Sequence, residues 1–143
     1  MKSLLISTVF FSLLTISCSK KDSSVVSKKE LLTSGSWKLA AVTADDDANG
    51  TYEIDKFATF SNCYKDNYYT FGNNGVLELN EGATKCNPGD TQTLSGTWQL
   101  TQNETHLMIN SDEWELVELT SSTLKWKENY SGGRSSLVTF IKR

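Results

Sequence analysis

The chain has 143 residues, with 14 Lys and Arg against 17 Asp and Glu and a formal net charge of −3. That length points to one domain. A mildly acidic chain without a basic cluster is a poor partner for nucleic acid.

The first element is apolar. Lys2 precedes "LLISTVFFSLL" (residues 4–14), followed by small residues and Cys18. A charged start and a short apolar run have the form of a secretory signal, and a membrane-spanning helix needs roughly 20 apolar residues. A small residue, Ser17, stands directly before Cys18, which resembles a bacterial lipobox. The departure is Thr15 three residues before the cysteine, where Leu is usual, with Leu14 one further back. The expectation is a signal peptide over 1–17 and lipidation at Cys18; the alternative is an ordinary signal cut nearby, leaving a free thiol. One acyl chain holds a protein only marginally, whereas several hold it stably, so an acylated Cys18 would be a membrane tether. The resulting address is the cell envelope, at the outer membrane on its periplasmic or surface face. Ser19 rather than aspartate follows the cysteine, so nothing argues for retention at the inner membrane.

Residues 18–29 contain "SKKDSSVVSKK", a polar stretch that reads as a solvated spacer. "SKKELL" (27–32) then has the S-x-x-E form of a capping box, Ser27 with Glu30, and predicts one short helical turn. Residues 30–143 form the expected domain. "SWKLAAVT" (36–43) places Trp37, Leu39 and Ala41 on one face of a strand.

"DDDANGTYEIDK" (45–56) follows. Asp45, Asp47, Asn49 and Gly50 match the opening of a calcium loop, and Glu53 holds its ninth position. The twelfth position should be a bidentate Glu and is Lys56, and a strand precedes the loop where a helix belongs. The reading adopted is a polar acidic loop, with Asp45, Asp47, Asn49 and Glu53 a weak calcium candidate. No cofactor is expected.

"NYYTF" (67–71) and "VLELN" (76–80) flank "GNNG", a hairpin signal. Alternation continues through "LSGTWQLT" (94–101), "THLMIN" (105–110), "EWELVELT" (113–120), "TLKWKENY" (123–130) and "SSLVTFIKR" (135–143). Eight strands joined mostly by short turns suggest an up-and-down antiparallel meander, which closes into a barrel and removes exposed edges. "SGSWKL" and "SGTWQL" share a short pattern read as two strands entering that barrel, with glycine allowing close approach.

With Cys18 lipidated, Cys63 and Cys86 remain. An exported chain with an even remainder favours a disulfide. A metal pair is the alternative, opposed by the single histidine and the absence of C-x-x-C. Catalysis finds little support: His106 stands alone, no G-x-S-x-G is present, and Glu113 and Glu115 share a solvent face opposite Trp114 and Leu116. The chain is therefore read as a non-enzyme.

Trp37, Trp98, Trp114 and Trp126 all fall on the apolar phase of their strands, as a filled core or as the lining of a pocket. An eight-stranded barrel is just wide enough for either. Tyr64, Tyr68 and Tyr69 are expected near one rim, as a contact patch or a cap on the core.

L-x-x-G-x-W-x-L near the start, "NCYKDNYYTFGNNG" (62–75), the second cysteine at 86, "GTWQL" and "LVELTSSTLKW" (116–126) occur in an order that resembles the lipocalin-like domain of small Bacteroidota-type lipoproteins. The C-x-x-D-x-x-x-x-F-x-x-x-G signature falls on Cys63, Asp66, Phe71 and Gly75. The resemblance implies a β-barrel on a lipid anchor with Cys63 bonded to Cys86, and no established activity. Two functions follow: non-catalytic binding of a small apolar or amphipathic molecule, or a surface module whose loops contact a protein or glycan.

Overall fold

The computed structural model describes residues 26–143. The expected leader (1–17), Cys18 and most of the spacer lie outside the described residues. Helix α1, Lys28–Thr33, starts at the capping box: Ser27 Oγ accepts from Glu30 N (3.2 Å) and Ser27 N donates to Glu30 Oε2 (2.8 Å). The reciprocal pair satisfies two backbone N–H groups that would otherwise lack partners. One apolar residue of the helix, Leu32, is fully buried.

Nine antiparallel strands follow: β1 Ser36–Asp45, β2 Ile54–Asp55, β3 Tyr68–Phe71, β4 Val76–Asn80, β5 Thr93–Thr101, β6 His106–Ile109, β7 Asp112–Leu119, β8 Thr123–Asn129 and β9 Ser135–Lys142. β1 and β3–β9 pair in chain order, and β1 pairs with β9 to close the ring. These are the eight strands anticipated from alternation. β2 is an addition, a two-residue strand on Thr43 and Ala44 of β1. Its sequence has too short an apolar run to declare itself. Bulges at Ala40, between Leu39 and Ala41 of β1, and at Val117, between Leu116 and Glu118 of β7, interrupt the ladders. Such insertions sharpen local twist and help a sheet curl.

Turn chemistry accounts for the connections. Gly75 closes the β3–β4 hairpin at φ +80°, its N–H donating to Gly72 O (3.0 Å). Gly96 is needed for close approach: a Cβ there would lie 2.6 Å from Oδ1 of Asn110, which accepts from Thr97 N (3.0 Å).

The antiparallel order assigns every loop to one of two ends. Turns 72–75, 102–105 and 120–122 share one end with α1, whose Lys28 Nζ reaches Glu104 O (2.6 Å). Leu32 and Trp37 seal this end, with Trp37 Nε1 donating to Leu32 O (2.8 Å). The other end carries the longer connections 46–67 and 81–92 and the β8–β9 turn, and it is where the barrel opens. Short β3 pairs only with Ser36–Lys38 of β1, and β2 takes Thr43 and Ala44. Between these pairings β1 meets the 46–67 connection, with Lys56 N donating to Val42 O (2.9 Å).

Candidate functional site

The interior is neither filled nor uniformly open. The side toward the sealed end is packed solid around Trp37, Phe71, Trp98, Leu107, Leu124 and Phe140. Toward the open end lies a cavity of about 780 Å³ between β1, β8, β9 and the 46–67 connection. Its deep wall is apolar: Leu39 and Val42 from β1, Val138 and Phe140 from β9, Tyr69 from β3 and Trp126 from β8. Phe60, Tyr64 and Asn67 cover it from the connection, while Glu128, Tyr130 and Arg134 line its mouth.

Trp126 organises the aromatic wall. It stacks on Trp114 (centroids 5.2 Å, planes 9° apart), lies 4.4 Å from Phe140 and receives the edge of Tyr69 at 6.4 Å. Tyr69 also meets Phe140 edge-on at 5.3 Å. Such offset and edge-to-face pairs each add roughly 0.5–1.5 kcal/mol beyond area burial, so the wall is stiff before any ligand enters.

Leu124, Trp126 and Glu128 share the inward phase of β8, which turns a carboxylate into the cavity. Trp126 Nε1 donates to Glu128 Oε1 (2.9 Å) and Tyr130 Oη donates to Glu128 Oε2 (2.7 Å). Burial, and then the charge of Glu128, push the Tyr69 phenol above its usual value. Tyr130 is also raised, by desolvation and then by its hydrogen bond to Glu128. Both phenols therefore remain neutral hydrogen-bonding groups at neutral pH.

The cover is held by two cross-links. Cys63, in helix α2 (Asn62–Lys65), is joined by a disulfide to Cys86, with Cα atoms 5.1 Å apart. Asp66 Oδ2 accepts from Ala83 N (3.0 Å) and Thr84 N (2.9 Å). Gly82 (φ +69°) lets this happen, since a Cβ there would lie 2.5 Å from Asp66 O. The C-x-x-D signature thus ties the two longest connections together over the open end.

The tryptophan expectations divide. Trp37, Trp98 and Trp126 are buried, but Trp114 is only half-buried. Of the four, Trp126 alone lines the main cavity. Trp37 belongs to the seal, Trp98 packs edge-on against Phe71 (5.4 Å) with its Nε1 donating to Gly72 O (2.9 Å), and Trp114 sits behind Trp126. Alternation reports which way a side chain points, not how far along the barrel axis it lies. Of the tyrosines, Tyr69 is wall, Tyr64 is exposed on the cover, and Tyr68 lies beneath Arg143 with the guanidinium 4.3 Å from its ring.

The calcium candidate is a self-capped loop. Asp45 is 3% exposed and accepts from Asn49 N (3.0 Å) and Gly50 N (2.9 Å). Burial works to raise its carboxyl, but these N–H groups together with Asp47 and Ala48 outweigh it and hold it below the usual range. Asp47 accepts from Asn49 Nδ2 (2.9 Å), Glu53 from the Thr51 hydroxyl, and Lys56 pairs with Asp46. The oxygens are spent on local donors, and among the described residues no three acidic, Cys or His side chains converge on one point. Glu113 is likewise engaged on the surface, accepting from Thr101 and Gln102.

Glu128, Tyr130, Arg134 and Phe60 are site residues that the sequence reading did not single out. One signal was present: Glu128 occupies the apolar phase of "TLKWKENY", where a charge needs a reason.

A closed antiparallel ring with an interior cavity defines a small up-and-down β-barrel. The lipocalin-like domain family matches residues 33–126, and the chain belongs to that family. Two solved structures are similar. One is a lipocalin-like protein from Bacteroides uniformis: 19% identity, 79% of this chain and 99% of that one covered, TM-score 0.49. The other is a DUF4847 family protein from Bacteroides vulgatus: 14% identity, 80% and 96% covered, TM-score 0.50. No curated protein matches the chain.

Proposed function

We propose that the chain is a lipid-anchored envelope lipoprotein whose barrel binds a small amphipathic molecule without chemical conversion. The observation that carries this reading is the cavity of about 780 Å³, with an apolar aromatic floor and a few polar groups at its mouth. Ligand sites are commonly clefts of roughly 300–1,000 Å³ with that distribution of polarity. Its occupant would place its apolar part against Leu39, Val42, Val138 and Phe140 and its polar end beside Glu128 and Tyr130. Membrane attachment through Cys18 supplies the address; α1 lies at the sealed end, so a tether entering there leaves the mouth unobstructed. A surface contact role is the rival reading, supported by Tyr64 (55% exposed) and Tyr130 (49% exposed) on the rim.

Two measurements test the proposal. Mass spectrometry of the mature N-terminus should find acylated Cys18, and an unmodified terminus at another residue refutes the anchor. Titration of the purified full chain with an apolar fluorescent probe should show saturable binding that Val138→Trp abolishes. Absence of saturable binding in a folded protein leaves the contact role.

A further inference from the structure

We propose that the cavity selects an amphiphile whose polar end is a protonated amine, seated on the carboxylate of Glu128 where Trp126 Nε1 and Tyr130 Oη orient it. The inference rests on the ligand-binding reading above and narrows its ligand to one chemical class.

Glu128 projects into the cavity from the inward phase of β8. Each carboxylate oxygen accepts one hydrogen bond from a neutral donor, Trp126 Nε1 or Tyr130 Oη. A carboxylate has about four lone-pair sites, so those two contacts orient it and leave acceptor capacity. No cation neutralises it: among the described residues the ion pairs are Lys56 with Asp46 and Lys125 with Glu118. The two cations of the cavity wall are otherwise placed. Lys56 is held by Asp46, and Arg134 is exposed on the rim with its Nε donating to Ser131 O (3.3 Å).

A half-buried carboxylate without a counter-ion is costly unless something completes it. Ligand ammonium would do so, with a charge-assisted hydrogen bond stronger than a neutral one. The surroundings favour the same charge sign. Trp126 and Tyr130 donate to Glu128 as neutral groups, and the Tyr69 phenol beside it is neutral as well, so the carboxylate is oriented while its negative charge is left uncancelled. An anionic amphiphile would instead bring its head group against Glu128. The same pair of hydrogen bonds fixes Trp126 and Tyr130, so recognition and wall geometry are coupled through one side chain.

Calorimetric titration of the purified full chain with octylammonium, octanoate and octanol separates the possibilities. The three share a tail and differ in head-group charge. Octylammonium should bind about ten-fold or more tighter than octanoate. Glu128→Gln should remove about ten-fold or more of the octylammonium affinity and cost octanol clearly less than it costs octylammonium. The wild-type comparison needs no variant and stands even if Glu128→Gln folds poorly. Octanoate equal to or tighter than octylammonium overturns the amine assignment and leaves the cavity as a binding site. An undiminished octylammonium affinity in folded Glu128→Gln likewise overturns it. If all three probes, octanol included, fail to bind, the ligand-binding reading itself fails.

Discussion

The indole Nε1 of Trp37 donates to the carbonyl of Leu32 across 2.8 Å, inside a region from which both side chains exclude water entirely. This one bond attaches the N-terminal helix to the first strand and seals the barrel end opposite the cavity. Leu32→Ala should therefore destabilise the protein by roughly 2–5 kcal/mol, read as a fall in the denaturant midpoint. Trp37→Phe keeps most of the apolar bulk but leaves the Leu32 carbonyl without its donor, and should cost roughly 1–3 kcal/mol.

Trp98 and Trp126 should separate stability from binding. Trp98 lies in the packed half against Phe71, so Trp98→Ala should cost roughly 3–5 kcal/mol and leave affinity per folded molecule nearly unchanged. Trp126→Ala should enlarge the cavity and alter probe affinity several-fold, because its ring forms the wall. Equal effects of both variants on affinity would contradict this division. Chemical denaturation and probe titration on the same samples decide it.

The Cys63–Cys86 bond closes a loop of sequence separation 23. Replacing both cysteines with serine should lower stability by on the order of 3 kcal/mol in the chain-entropy model. Hydrogen exchange should then rise over the 46–67 and 81–92 connections through local opening, and in β5–β8 only by the loss of global stability. Asp66→Ala should produce the same local pattern, since it releases the Ala83 and Thr84 N–H groups. Non-reducing peptide mapping of protein isolated from the cells that make it checks that the bond is formed there.

Asp45 makes the fold sensitive to acid. Its carboxyl lies below the ordinary aspartate value of 3.8 in the folded chain, so folding favours the deprotonated form. The stabilisation is fully present above that value and is lost as pH falls through the lower, folded one. Asp45→Asn should flatten the acid limb of a stability–pH curve below about pH 4 and change its neutral part by a constant amount. An unchanged acid limb would show that the Gly50 and Asn49 contacts do not hold the charge.

The strands were legible because their causes are local. Alternation in "LSGTWQLT" and "TLKWKENY" and the glycines of "GNNG" act within a few residues, and the observed strands begin and end within about two residues of those readings, as boundary assignments usually do. The capping box of Ser27 and Glu30 is local in the same way, and α1 forms where it predicts. Segment 54–65 escaped notice because β2, one turn of 3-10 helix and α2 are each too short to carry a period.

What the chain by itself determined, then, is direction: which residues point inward, where the backbone turns, and that the strands follow one another around a ring. Depth and company were decided only in three dimensions. Trp37, Trp98 and Trp126 have the same inward phase, yet one seals an end, one fills the packed half and one forms the cavity wall. The difference arises from the pairing of β1 with β9, the shortness of β3 and the cross-linked 46–67 connection. The same long-range arrangement places Glu128 in the cavity beside Tyr69 and Tyr130, where its charge acquires a setting. Periodicity acts over a turn or a strand, whereas a cavity exists only where elements distant in the chain fail to meet.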